Sequence, residues 1–235
     1  MNIIDIIVIC LILLYALNGA NKGFLPSIAN LCSIFLSWII SFLCYPLVAR
    51  GLIKTNFFSS FRMYVEGAEW LPNFEYSRVD VATLSDQELA AIVKDSRLPP
   101  PFDTAITASV EGKVFEAQGA VTLGEYYNLT IYSVIVNIIA LLILFVGVRI
   151  ILTLATNAFT YAYKLPQLRH FEYLSGAGVA AIRGFFAMYL VFMIVPVGLV
   201  LLRNMDLVTN TVNGSWTSNI FYSASIILRF ISGHV

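Results

Sequence analysis

Four long apolar stretches, one large polar segment and short links set the pattern of this 235-residue chain. The apolar stretches run over about 3–20, 25–48, 128–158 and 174–203. Each comes close to or exceeds the roughly 20 residues that an α-helix needs to cross a bilayer's hydrocarbon core. Only Asn21-Lys22-Gly23-Phe24 separates the first two, which predicts an antiparallel hairpin. The second helix is expected to end near Tyr45-Pro46, and Pro196 is expected to kink the fourth. The polar segment carries helical signals and no β-hairpin signal. Ser85-Asp86-Gln87-Glu88 is a capping-box pattern, and Leu89–Val93 continue it helically. Pro99-Pro100-Pro101 stops that helix and leads into a second over about 103–118. A third is expected over 56–71, where Phe57, Phe61, Tyr64 and Val65 share a face. Tyr126, Tyr127 and Tyr132 stand where an aromatic belt would sit at the start of the third apolar helix. In the tail, Trp216, Ile220, Ala224, Ile227 and Ile231 share a face, a pattern too polar to span and suited to a surface helix.

The fold class that follows is an all-α membrane protein: four transmembrane helices, a small helical insertion outside the cytoplasm and a C-terminal amphipathic helix. The expected divisions are a hairpin over 1–50, the insertion over 51–127, helices three and four within 128–204, and the tail over 205–235. Composition agrees. The chain is 59% hydrophobic and 12% charged, with a mean hydropathy of +0.81, against about 25% charged residues in soluble domains. Net charge is zero, but of the 14 acids all except Asp5, Glu172 and Asp206 lie within 51–127. That segment therefore faces water. The N-terminus lacks the basic region and small-residue cleavage site of a signal peptide, so the first helix is expected to be retained.

Candidate chemistry is sparse. Cys10, Cys32 and Cys44 lie in apolar runs, where a thiol acts as a small buried hydrophobe. His170 and His234 stand far apart, and no C-x-x-C, Ser/His/Asp set, phosphate loop or basic nucleic-acid patch is present. Carboxylate pairs such as Glu66/Glu69 and Glu111/Glu116 lack any accompanying nucleophile or histidine and read as solvated helix faces. No catalytic residue, cofactor or metal site is expected, and an enzyme is excluded on this reading. The informative residues lie in the membrane. Gly176, Ala180 and Gly184 recur every four residues and would let another helix approach closely, and Gly19 and Gly23 have the same spacing, although Gly23 also fits a turn. Asp5, Asn137, Arg149 and Arg183 are the intramembrane polar residues. The two arginines could line an anion path or hold a lipid headgroup, or could simply snorkel. Asp5 is expected to pair with Arg50 or Arg203 rather than with them, and Asn137 to hydrogen-bond across helices. Lys22, Lys164 and Arg169 put the two short links on the cytoplasmic side, leaving the N-terminus, the insertion and the C-terminus outside.

These residues resemble the colicin V production proteins, a family of bacterial inner-membrane proteins. The likeness rests on Asp5 followed by Ala16-Leu-Asn-Gly-Ala-Asn-Lys22-Gly23-Phe24, and on Gly176 through Arg183-Gly184 opening the last membrane helix, with Trp216 in the tail. Ala180 and Ser175 depart from the usual Gly and Leu, Phe171-Glu172-Tyr173 replaces a polar-Arg pair, and the insertion is longer than in compact members. The resemblance implies localisation in the bacterial inner membrane and an accessory or scaffold role in toxin production or export and envelope maintenance. The alternative is a small-solute channel or transporter built from oligomerised four-helix units. The partners expected are the lipid bilayer, a homo-oligomer, and a membrane or extracytoplasmic protein met through 51–127, with no nucleic acid.

Overall fold

A computed structural model describes residues 2–162, 172–202, 210–212, 214–223, 225, 228 and 230–235. Among them the chain is helical and carries no strand, only an isolated bridge between Asp80 and Thr122. Helix α1 is Ile3–Lys22 and α2 is Phe24–Ile53. The polar segment contributes α3 (Asn56–Phe61), α4 (Asp86–Asp95) and α5 (Phe102–Glu111), joined by 3-10 turns. Helix α6 is Leu123–Ala162, α7 is Glu172–Phe192 and α8 is Val195–Leu201. A short α9 (Trp216–Ser218) runs into a π-type turn over Asn219–Ser223.

Four helices are long and apolar enough to cross a membrane: Ile3–Lys22, Phe24–Ile53, Leu123–Ala158 and Glu172–Leu201. Their surfaces expose Leu13, Leu17, Leu43, Leu47, Ile151 and Leu154, each more than half accessible. No water-soluble fold leaves such rows of large aliphatic side chains uncovered. This is a multi-pass membrane protein whose apolar helices meet lipid. Cys10 and Cys32 belong to this outer surface, and Cys44 partly so, rather than to a buried core as their apolar surroundings had suggested.

Contacts divide the chain into two units. The first comprises Met1–Tyr45, Leu141–Val195 and Asn204–Ala224. In it α1 has 20 residues and α7 has 21, each matched to one bilayer crossing. Gly23 alone separates α1 from α2. Its φ of 83° lies where a side chain is strained, so the hairpin needs glycine there for the turn itself. Of the expected tail face Ile231 is buried, but Trp216 is not. Trp216 is 69% exposed while Phe221 and Tyr222 are buried, because the Phe221 ring lies against Phe185, Tyr189 and Phe192 of α7. The 163–171 connector with Lys164, Pro166, Arg169 and His170, and also Arg203, Ala224, Ile227 and Arg229, lie outside the described residues.

The second unit comprises Pro46–Ala140, Pro196–Arg203 and Ser225–Val235. Its centre is the first half of α6. Leu123, Tyr127, Ile131, Val134, Ile135, Val136, Ile138 and Ala140 are all fully buried, on every side of the helix. Phe102 and Ile106 of α5, Leu89 of α4 and Phe115 are buried in the same unit, and the Phe115 ring meets Tyr126. The tyrosines expected to form an aromatic belt belong to this core. The Tyr127 hydroxyl is 2.9 Å from Ser96 Oγ, and Tyr132 donates to the Phe58 carbonyl at 2.9 Å. A buried phenol needs such a partner, and the helical segment supplies it. Helix α4 starts on the expected box: Glu88 N–H donates to Ser85 Oγ, and Ser85 N–H donates to the Glu88 carboxylate. The amide and hydroxyl of Ser85 hold the Glu88 carboxyl below the usual carboxylate range. In α3 the expected face is turned. Phe58 and Val65 are buried, whereas Phe57 and Tyr64 are 71% and 81% exposed, since α3 stops at Phe61 and a 3-10 turn shifts the register.

Two prolines act differently. Pro46 does not end α2, which continues to Ile53. Proline removes one hydrogen bond and bends a helix, and buried Tyr45 and Ala49 on either side keep the turn in place. Pro196 breaks the fourth apolar helix into α7 and α8, with Met193 and Ile194 between them. Its ring excludes the carbonyl four residues before it, that of Phe192, where α7 ends.

Candidate functional site

The apolar repeat of α1 leaves Asp5, Val8, Gly19 and Ala20 as its buried positions, one stripe at helical spacing. That stripe lies against α7, whose buried residues include Gly176, Ala180, Arg183 and Gly184. The contact is made by backbone. A methyl group added at Gly176 would lie 2.6 Å from the Gly19 carbonyl oxygen and 2.8 Å from the Gly23 carbonyl carbon. One added at Gly19 would overlap Ala180 Cβ and the Gly176 carbonyl. One added at Gly184 would meet the Tyr15 side chain at 3.0–3.2 Å. In lipid, helices associate through such close van der Waals contact because apolar burial gives them little reason to leave the tails.

One turn further along this seam the packing becomes polar. The Arg183 guanidinium lies over the Tyr15 ring, 4.9 Å from its centroid. Its Nε is buried and has no hydrogen-bond partner. Arg149 of α6 donates through Nη1 to the Asn30 carbonyl at 3.3 Å and to Ser33 Oγ, both on α2. Arg149 and Arg183 lie within electrostatic reach of each other and of Tyr15. All four apolar helices therefore contribute to one cluster: Tyr15, Asn30 and Ser33, Arg149, and Arg183. Beneath it the buried face of α2 continues through Ser37 and Ser41. No family model, curated protein or solved structure matches this chain.

Asp5 and Asn137 lie elsewhere. Among the described residues no arginine pairs with Asp5. One carboxylate oxygen accepts from the Asn2 amide at 2.8 Å, and the other from Ser215 Oγ at 2.7 Å, Thr217 N–H at 2.9 Å and Thr217 Oγ1 at 2.8 Å. Asn2 in turn donates from its side chain to the Thr211 carbonyl. Amide and hydroxyl dipoles satisfy the carboxylate without a second buried charge. These donors come from a segment 210 residues away in sequence. Asn137, in the second unit, donates to the Ser232 and His234 carbonyls at 2.8 and 3.0 Å. Its partners are a non-helical stretch of tail rather than another membrane helix.

Of the residues singled out in the sequence, Gly19, Gly176, Ala180, Gly184, Arg149 and Arg183 come together in the first unit. Gly23 lies beside the seam as its turn, its carbonyl facing Gly176. Tyr15, Asn30, Ser33, Ser215 and Thr217 were not singled out. The row Ser27, Asn30, Ser33, Ser37 and Ser41, all buried at three- and four-residue steps, was the available signal for the α2 members. Among the described residues no group of three or more His, Cys, Asp or Glu side chains could hold a metal ion.

Proposed function

We propose that this chain is a non-enzymatic bacterial inner-membrane protein, similar in role to the colicin V production proteins, that serves as an accessory or scaffold in toxin production or export and in envelope maintenance. The observation that supports a scaffold is the α1–α7 seam. Gly19 and Gly176 meet through backbone atoms, so the interior there is filled by protein and offers no room to a solute. The helical second unit, with Phe57, Met63, Tyr64 and Phe74 each 70% exposed or more, supplies surface for a protein partner. A homo-oligomer is the other partner this reading admits.

A small-solute channel or transporter is the second reading, and one observation favours it: Arg183 is buried, and a buried arginine is uncommon in a membrane helix and frequently lines a substrate path. Arg183→Leu separates the two. Under the scaffold reading the variant still complements a deletion strain and melts at or above the wild-type temperature, because an uncompensated buried charge has been removed. A stable variant that fails to complement would reject a purely structural role for Arg183 and favour transport or binding of an anion there.

The orientation is part of the same proposal, with Lys22 on the cytoplasmic side. In a cysteine-free background, a cysteine at Ser85 should react with an impermeant maleimide on intact spheroplasts, and one at Asn21 should not. The reverse labelling pattern inverts the topology.

A further inference from the structure

In the first unit Arg183 is buried and Arg149 half-buried, and among the described residues neither has a carboxylate partner. Arg183 is only 6% exposed, and among the described residues its guanidinium makes no hydrogen bond. Arg149 makes two, both through Nη1. A guanidinium carries five N–H donors, so most of the donors in this pair meet no protein acceptor. Both arginines are cations, and among the described residues neither makes an ion pair. Asp5 is already held by Asn2, Ser215 and Thr217. Glu172 stands 11 residues before Arg183 on α7, about 16 Å along the helix.

Removing the Arg183 charge from water without pairing it, beside the half-buried cation Arg149, is among the most unfavourable arrangements a folded chain can hold. Their immediate neighbours also suit an anion. Tyr15 lies beneath the Arg183 guanidinium, its ring centroid 4.9 Å away, and the buried Nε–H meets no protein acceptor. Ser33 accepts from Arg149 and retains its own hydroxyl proton to donate. Planar forks of this kind match the spaced oxygens of a phosphate group.

We infer that Arg149 and Arg183, with Tyr15 and Ser33 beside them, form a binding site for a phosphate-type oxyanion, delivered as the headgroup of an anionic phospholipid or as free phosphate. The site goes beyond the scaffold reading and does not depend on it, since a scaffold and a transporter could each use it.

The test uses the full chain purified in a neutral detergent and melted by tryptophan fluorescence. Titrants are phosphatidylglycerol, phosphatidylcholine and inorganic phosphate, at ionic strength matched with sodium chloride. Wild type should melt higher with phosphatidylglycerol or with phosphate. Arg183→Gln and Arg149→Gln should each raise the half-saturating concentration about tenfold or more, as expected for loss of a charge-assisted hydrogen bond. A response to phosphatidylglycerol alone identifies the lipid as the source, and a response to phosphate as well identifies the small anion. If either variant fails to fold, native mass spectrometry of the wild type should show retained phosphatidylglycerol or phosphate. The inference is overturned if wild type responds to neither anion, if both variants respond as wild type does, or if native spectra of the wild type show no adduct.

Discussion

Gly176→Leu destabilises the protein in detergent by about 3 kcal/mol or more, at the upper end of what overpacking costs. The clash is with backbone, at the Gly19 and Gly23 carbonyls, so no rotamer change relieves it. Helices α1 and α7 must move apart, and the van der Waals contact that holds them in lipid is lost. Gly19→Leu should be at least as severe, because Ala180 Cβ and the Gly176 carbonyl occupy the same space. Gly184→Leu should be milder, since it meets the movable side chain of Tyr15. The internal control is Gly178, exposed on the same helix with nothing within 4 Å. Gly178→Leu should melt like wild type. Thermal melts of the four variants check the order, and a Gly176→Leu protein that melts with the control removes the seam from the account.

Asp5→Ala is expected to release the tail turn from the first helix. The carboxylate is both the third residue of the α1 capping box and the acceptor for Ser215 and Thr217. Removing it leaves Ser215 and Thr217 in a buried site without their acceptor, and frays the first turn of α1 at the same time. The melting temperature should drop by several degrees, and the Thr217 amide should lose most of its protection from hydrogen exchange. Asp5→Asn, which keeps one acceptor oxygen, should fall between wild type and alanine. Because the groups form one network, Asp5→Ala combined with Ser215→Ala should cost less than the sum of the two single changes. Full additivity, with Thr217 protection unchanged, would show that the tail turn holds itself without Asp5.

The site was partly legible. Glycine spacing and out-of-place charges pointed to Gly176, Ala180, Gly184, Arg149 and Arg183, because small residues at four-residue steps and charges in apolar helices have few physical explanations. Tyr15, Asn30 and Ser33 were not legible as members. A tyrosine or serine in a membrane helix is unremarkable by itself, and only the register between α1, α2, α6 and α7 brings these residues to Arg149 and Arg183. The Asp5 partners show the same limit. Hydroxyl donors more than 200 residues away leave no local pattern, so an arginine was the natural expectation.

What the sequence determined by itself was local: four apolar helices, the hairpin turn at Gly23, the α4 cap at Ser85 and the absence of strands among the described residues. Each follows from periodicity, capping or backbone freedom within a few residues. What only the tertiary structure decided was which apolar surface meets lipid and which meets protein. Helix α6 shows why. Its 40 residues extend about 60 Å, twice the hydrocarbon thickness of a bilayer, and are apolar almost throughout. A helix that is apolar on all sides carries the same signature whether it crosses a membrane or forms the centre of a folded core. Ile143, Val146 and Ile150 are exposed, whereas Ile131, Val134 and Ile135 are enclosed by protein. Hydrophobicity measures the exclusion of water from a surface, and water is excluded equally by lipid and by packed side chains.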